Sequence, residues 1–128
     1  MTIELTMLFW STLLTFILIL IPAAEAIHRN GAAAQAGPRD DLPEPPTFNK
    51  RATRLSKNMQ ENMILFAALV LTAHAAGVST ENTALGAQIF FYARLLHAPI
   101  YLMGIDKIRP VMWFAGVIGM GMLAAALF

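Results

Sequence analysis

The stretch Arg51-Ala-Thr-Arg54-Leu-Ser-Lys57-Asn58-Met-Gln-Glu61-Asn62 runs without a break into Met63-Ile-Leu-Phe66-Ala-Ala-Leu-Val-Leu-Thr-Ala73. A charged and amide-rich segment forms the mouth of a long apolar helix, with Glu61 and Asn62 at or inside the boundary. Arg54, Asn58 and Glu61 follow i, i+4, i+7, so one helix face carries all three. Polar groups at membrane depth are costly and need partners, so such a stripe reads first as a functional site.

The rest of the chain supports a membrane setting. Of 128 residues, 57% are hydrophobic and only 13% are charged, which is too apolar for an ordinary soluble domain. At this length a single domain over residues 1–128 is expected. The net charge of +1 offers no footing for nucleic-acid binding. There are no cysteines, which removes disulfides, a protein thiolate nucleophile and cysteine-based metal sites. The three histidines lie far apart and show no ligand spacing, so no metal is expected.

Working outward, four segments of spanning length emerge, at about 5–27, 51–77, 84–105 and 110–128. The expected architecture is an all-α membrane protein, a bundle of four transmembrane helices. Segment one could be mistaken for a cleaved leader, because Ala24-Glu25-Ala26 resembles a cleavage site. Its start holds Glu4 and no Lys or Arg, which favours a retained span. Pro22 is expected to kink it, and Glu25 is within reach of Arg29. Pro110 suits the opening of segment four. There Ala115, Gly116, Gly119 and Gly121 supply small residues for close helix approach, and Trp113 is assigned to the membrane interface. His74 is expected to be a packed or interfacial residue.

Residues 28–50 read as a long surface loop rich in Pro, Gly and Ala. Lys and Arg concentrate in this loop, at the start of segment two, and in the turn holding Lys107 and Arg109. The positive-inside rule therefore places the first and third connections in the cytoplasm, with both termini opposite.

Segment three carries the second polar constellation. Arg94, His97 and Tyr101 follow i, i+3, i+7 and share a face. Arg94 lies roughly 16 Å from the cytoplasmic end at 1.5 Å per residue. It must meet an acid, carbonyls or water, because facing lipid would cost about 2.5–3.5 kcal/mol or more. Glu61 is the acid placed to share the bundle interior with it. In the bland reading the two merely lock helices together, with Asn58 and Asn62 bonding across the interface. Pro99 frees the carbonyl of Leu95 beside these residues. Read for chemistry, Arg51, Arg54, Lys107 and Arg109 form a cationic funnel, with Asn58, Glu61, His97 and Tyr101 deeper. Such a funnel suits a small peptide-like zwitterion: arginine forks take carboxylates and Glu61 takes an ammonium.

Arg51-x-x-Arg54-x-x-x-Asn58-x-x-Glu61 resembles the second-helix signature of the MAPEG family, the membrane-associated proteins of eicosanoid and glutathione metabolism. Ala93-Arg94-Leu95-Leu96-His97-Ala98-Pro99-Ile100-Tyr101 is similar to that family's third-helix motif. The resemblance covers essentially the whole chain. It implies a homotrimer holding glutathione as co-substrate between subunits. By position, Arg51, Arg54, Asn58, Glu61, Arg94, His97 and Tyr101 would bind it, and Arg109 would stabilise its thiolate for catalysis. Three departures from the family pattern are Asn62, where a Tyr often follows the Glu, His97, where Tyr is often found, and an Arg109 spacing one residue off. These place the chain with divergent bacterial-type members, in an inner membrane.

The activity implied is glutathione conjugation to a small hydrophobic electrophile, or reduction of a lipid hydroperoxide. A non-catalytic protein of the same fold, binding a lipid or an anionic metabolite, is the alternative. A small multidrug transporter is a third reading, and it lacks support: such transporters need an acid central in the first helix, whereas Glu25 lies near that helix's end.

Overall fold

A computed structural model describes residues 1–128. It is all helical: α1 spans Ile3–Asn30, α2 Ala32–Ala36, α3 Thr47–Ala75, α4 Glu81–Leu102 and α5 Arg109–Ala125. Each boundary has a local cause. The Thr2 hydroxyl accepts from the Leu5 amide and starts α1. Gly31, at φ +87°, stops it. Pro22 lies inside α1 without ending it. The Pro-rich run ends at Pro46, whose extended backbone opens α3 four residues earlier than expected. Gly77, at φ +70°, closes α3, with the Val78 amide reaching back to the Ala73 carbonyl. Thr80 and Thr83 form a reciprocal capping box that starts α4 three residues before the expected position. Gly104, at φ +75°, closes α4, and the Ile105 amide bonds the Ile100 carbonyl.

The sequence reading placed no element within residues 28–50. The Ala-rich turn α2 forms there because Gly31 breaks α1 and leaves good helix formers behind it. The rest of the loop is pinned by an ion pair between Glu44 and Lys50. The Lys50 ammonium holds the Glu44 carboxyl below its ordinary range.

The long helix α4 is the centre of the packing: it touches α1, α3 and α5, whereas α1 and α5 do not meet. Phe66 and Phe90 stack across α3 and α4 with ring centroids 3.9 Å apart. Leu55, Met59, Val70, Ala87 and Leu123 complete the fully buried interior. The α4–α5 crossing depends on two glycines. A Cβ on Gly119 would sit 2.5 Å from the Gly86 carbonyl oxygen, and one on Gly86 would sit 2.7 Å from the Gly119 carbonyl oxygen. Gly121, expected to serve the same purpose, has nothing within 4 Å of where its Cβ would stand.

At the end of the fold away from Arg109, the buried Glu4 carboxylate accepts from the Ser79 hydroxyl at 3.1 and 3.2 Å and from Thr83. This ties the start of α1 to the start of α4. Only 24 of 128 residues are buried, and many large apolar side chains are exposed, among them Phe9, Phe16, Ile64, Leu96 and Phe114. Such a surface needs lipid or partner chains around it. By length and composition, α1 is the one helix long and apolar enough to cross a membrane, and α5 is apolar but shorter. In α3 the polar side chains Asn58, Gln60, Glu61 and Asn62 precede the apolar run and lower its hydropathy.

Candidate functional site

The polar stripe of α3 and that of α4 meet the start of α5 around an open cleft of about 450 Å³. Its walls are Arg54, Lys57, Asn58 and Glu61 from α3, His97 and Tyr101 from α4, and Arg109, Pro110 and Trp113 from α5. The helical spacings explain the gathering. Lys57 and Glu61 are four residues apart, and so are His97 and Tyr101, and Arg109 and Trp113, so each helix contributes one face. The Arg109 guanidinium lies over the Tyr101 ring, 5.1 Å from its centroid. Tyr101 in turn lies against His97, with ring centroids 5.5 Å apart. Arg109 is also the first residue of α5, whose start has no side-chain cap, so the helix dipole adds to its positive potential.

The charges of the cleft are not spent on one another. The chain has two ion pairs within 4.0 Å, Arg29–Glu25 and Lys50–Glu44, and both lie outside the cleft. Arg54, Lys57 and Arg109 therefore face it as free cations, and Glu61 as a free carboxylate. Three cations against one acid make a site for a net anion that also carries a positive group.

Three expected members lie outside the cleft lining: Lys107, Arg51 and Arg94. The Arg51 guanidinium is packed against Gly104, so closely that a Cβ there would lie 2.7 Å from its Cζ. The side chain is drawn toward the α4–α5 turn because the missing Cβ leaves room for it. Arg94 lies behind the cleft wall at 1% exposure. Its Nη2 donates to Asn58 Oδ1 at 2.6 Å and its Nε to the Met59 sulfur at 3.3 Å. The anticipated meeting with Glu61 does not occur, because Glu61 lies one turn further along α3 and points into the open. Asn62 bonds back to the Asn58 carbonyl in its own helix at 2.8 Å and does not cross to a neighbour. The expected Glu25–Arg29 contact is present at 2.7 Å, and Asn49 joins it from α3 at 2.9 Å.

Beside Pro110, read only as a helix opener, two cleft residues escaped the sequence reading. Lys57 was counted only for membrane orientation, and Trp113 only as an interface anchor. Their i+4 relations to Glu61 and Arg109 were the available signal.

Other hollows have less chemistry. A groove of about 490 Å³ beside α2 is lined by alanines, and its amides are already bonded: Asn49 to the Pro22 carbonyl and Glu25, and Gln35 to Asn30. A hollow of about 240 Å³ lies beside Glu4 and His74.

A helical chain with an apolar outer surface and a cationic cleft at one end has the features of a membrane protein. The family model of the MAPEG family matches residues 7–128, and the chain belongs to that family. It is accordingly a membrane protein. No curated protein and no solved structure matches the chain.

Proposed function

We propose that the protein is a glutathione-transferase-like membrane enzyme that joins glutathione to, or reduces with it, a small hydrophobic electrophile or lipid hydroperoxide. The carrying observation is the unpaired charge of the cleft: Arg54, Lys57 and Arg109 opposite Glu61, with no ion pair among them. Glutathione presents two carboxylates, one ammonium and a thiol. Arg54 and Lys57 suit the carboxylates and Glu61 suits the ammonium. Asn58, His97 and Tyr101 supply hydrogen bonds between them. When bound, glutathione supplies a sulfur nucleophile that this cysteine-free chain lacks.

The chemistry asked of Arg109 is electrostatic. A thiol is nucleophilic as its thiolate, and a cation nearby favours that form. Tyr101 holds the guanidinium in place by its ring face, and the start of α5 reinforces the field. Trp113 and the apolar surfaces of α4 and α5 offer an approach for a lipophilic second substrate from the bilayer.

The setting that goes with this reading is a single domain over residues 1–128, with α1, α3, α4 and α5 crossing a bacterial inner membrane. The basic first and third connections would face the cytoplasm, and three copies would assemble. The outward-facing apolar side chains support both lipid and subunit contacts. A second reading, a non-catalytic protein binding a lipid or an anionic metabolite, draws on one observation: Arg109 rests on Tyr101 rather than extending freely.

The test is direct. Purified protein in detergent, mixed with glutathione, should show thiolate absorbance and conjugate a chlorinated dinitrobenzene. Binding without thiolate absorbance or turnover would favour the second reading. No binding at millimolar glutathione would remove both the ligand and the reaction.

A further inference from the structure

Arg94 is the largest fully buried side chain in the molecule, and no acid pairs with it. Its surroundings are specific. Nη2 donates to Asn58 Oδ1 at 2.6 Å, Nε donates to the Met59 sulfur at 3.3 Å, and Nη1 has no partner. A guanidinium has donors only and cannot accept. The Asn58 amide must therefore turn its oxygen inward to Arg94. Its nitrogen is left free of Arg94, on a residue that lines the cleft. No side chain or carbonyl of the protein accepts from that NH2 group. An asparagine alone can present either end of its amide. This one is fixed by a charged donor, and charge-assisted bonds are the stronger kind.

We propose that Arg94 is a positioning residue: it acts through Asn58, locking the amide so that the cleft offers an NH2 donor at that point and selects a ligand with a hydrogen-bond acceptor there, a carboxylate or an amide carbonyl. The inference deepens the glutathione reading and rests on it for the identity of the ligand, but the locking of the amide does not depend on any ligand. It also gives the uncompensated buried arginine a purpose that a helix-locking ion pair would not. A buried cation that only joined helices would be served better by an acid on α3. Asparagine instead transmits Arg94's orientation to the cleft surface.

Two variants separate these roles. Asn58→Asp keeps an acceptor for Arg94 and removes the donor toward the cleft. Arg94→Lys keeps the buried charge and removes the planar fork. The first readout is the side-chain amide signal of Asn58 in full-length protein labelled with ¹⁵N-asparagine, in detergent without ligand, and identified by its loss in Asn58→Asp. That signal should shift and broaden in Arg94→Lys; an unchanged signal overturns the proposal, whatever the binding data show. The second readout is glutathione affinity by equilibrium dialysis. Asn58→Asp should bind at least tenfold more weakly than the parent while its thermal midpoint holds or rises. Binding equal to the parent's overturns the donor role, and a lowered midpoint with intact binding returns Arg94 and Asn58 to helix locking. If the parent chain itself binds no glutathione, the functional reading falls and the amide signal alone decides the proposal.

Discussion

Substituting Gly119 by alanine tests the packing that brings α5, and with it Arg109, to the cleft. The added Cβ would lie 2.5 Å from the Gly86 carbonyl oxygen, 2.8 Å from the Phe90 nitrogen and 3.3 Å from the Phe90 Cα. All three neighbours are backbone, so no side chain can swing away. Reaching ordinary contact at about 3.5 Å requires the two helices to part by roughly 1 Å. Overpacking of this kind costs about 1–3 kcal/mol, and a rigid backbone neighbour puts this case near the top of the range. For a chain of this size that is a fall in thermal midpoint of about 6–12 °C. The assay is thermal unfolding in detergent, with Gly121→Ala as the control. Gly121 has nothing within 4 Å, so its alanine variant should match the parent or gain slightly from helix propensity. Because α5 begins with Arg109, Gly119→Ala should also weaken glutathione binding, although it lies ten residues along the helix from Arg109. The reasoning fails if Gly119→Ala melts with the parent, or if Gly121→Ala loses as much.

Three further outcomes follow from the same geometry. Arg109→Ala should raise the pKa of the bound thiol by about one unit or more, since a cation about 4 Å away at an effective dielectric near 20 is worth up to about 4 kcal/mol. Lowering the thiol pKa supplies thiolate at neutral pH, so the variant should lose turnover near pH 7 and recover part of it as pH rises toward 9; a pH profile parallel to the parent's would acquit Arg109. Arg54→Ala should weaken glutathione binding at least tenfold, whereas Arg51→Ala should change it less than twofold, because the Arg51 guanidinium packs on Gly104 away from the cleft; equal losses in dialysis would reverse this assignment. Glu4→Ala should cost about 1–3 kcal/mol by leaving the Ser79 and Thr83 hydroxyls without their acceptor, with glutathione affinity unchanged, and a denaturant titration beside the dialysis would show whether the two effects separate.

Much of this was legible before any coordinates, for reasons that are specific. The i, i+4, i+7 run of Arg54, Asn58 and Glu61 survives as one wall of the cleft because an unbroken helix carries it. His97 and Tyr101 hold for the same reason on α4. What the pattern could not reveal depends on depth and on missing side chains. Arg94 falls on the face of His97 and Tyr101, yet α5 covers it, so it meets Asn58 from behind and does not reach the cleft. Arg51 falls on the stripe of Arg54, yet Gly104 offers it a flat backbone surface that only a glycine at positive φ provides. Gly119 and Gly121 look alike in a sequence; only the position of α4 tells which one sits at the crossing. The short α2 was missed because Pro and Gly on both sides of an Ala run read as loop.

The distribution of acids explains why the cleft remains available for a ligand. Glu25 is held by Arg29 and Asn49, Glu44 by Lys50, and Glu4 by hydroxyls at the other end of the fold. Asp40, Asp41, Glu61, Glu81 and Asp106 form no ion pair, and of these Glu61 is the one that lines the cleft. It stands four residues after Lys57, a spacing that lets side chains meet on a helix surface, yet no ion pair forms there. The order matters: a lysine preceding its glutamate is the weaker arrangement at this spacing. Reversing the two residues would favour an internal pair and close off both charges. As written, the sequence keeps Lys57 and Glu61 separately available at the cleft, while Arg94 spends its charge on fixing an uncharged amide. A helix-locking network would join these groups to one another; this arrangement directs each of them at whatever occupies the space between α3, α4 and α5.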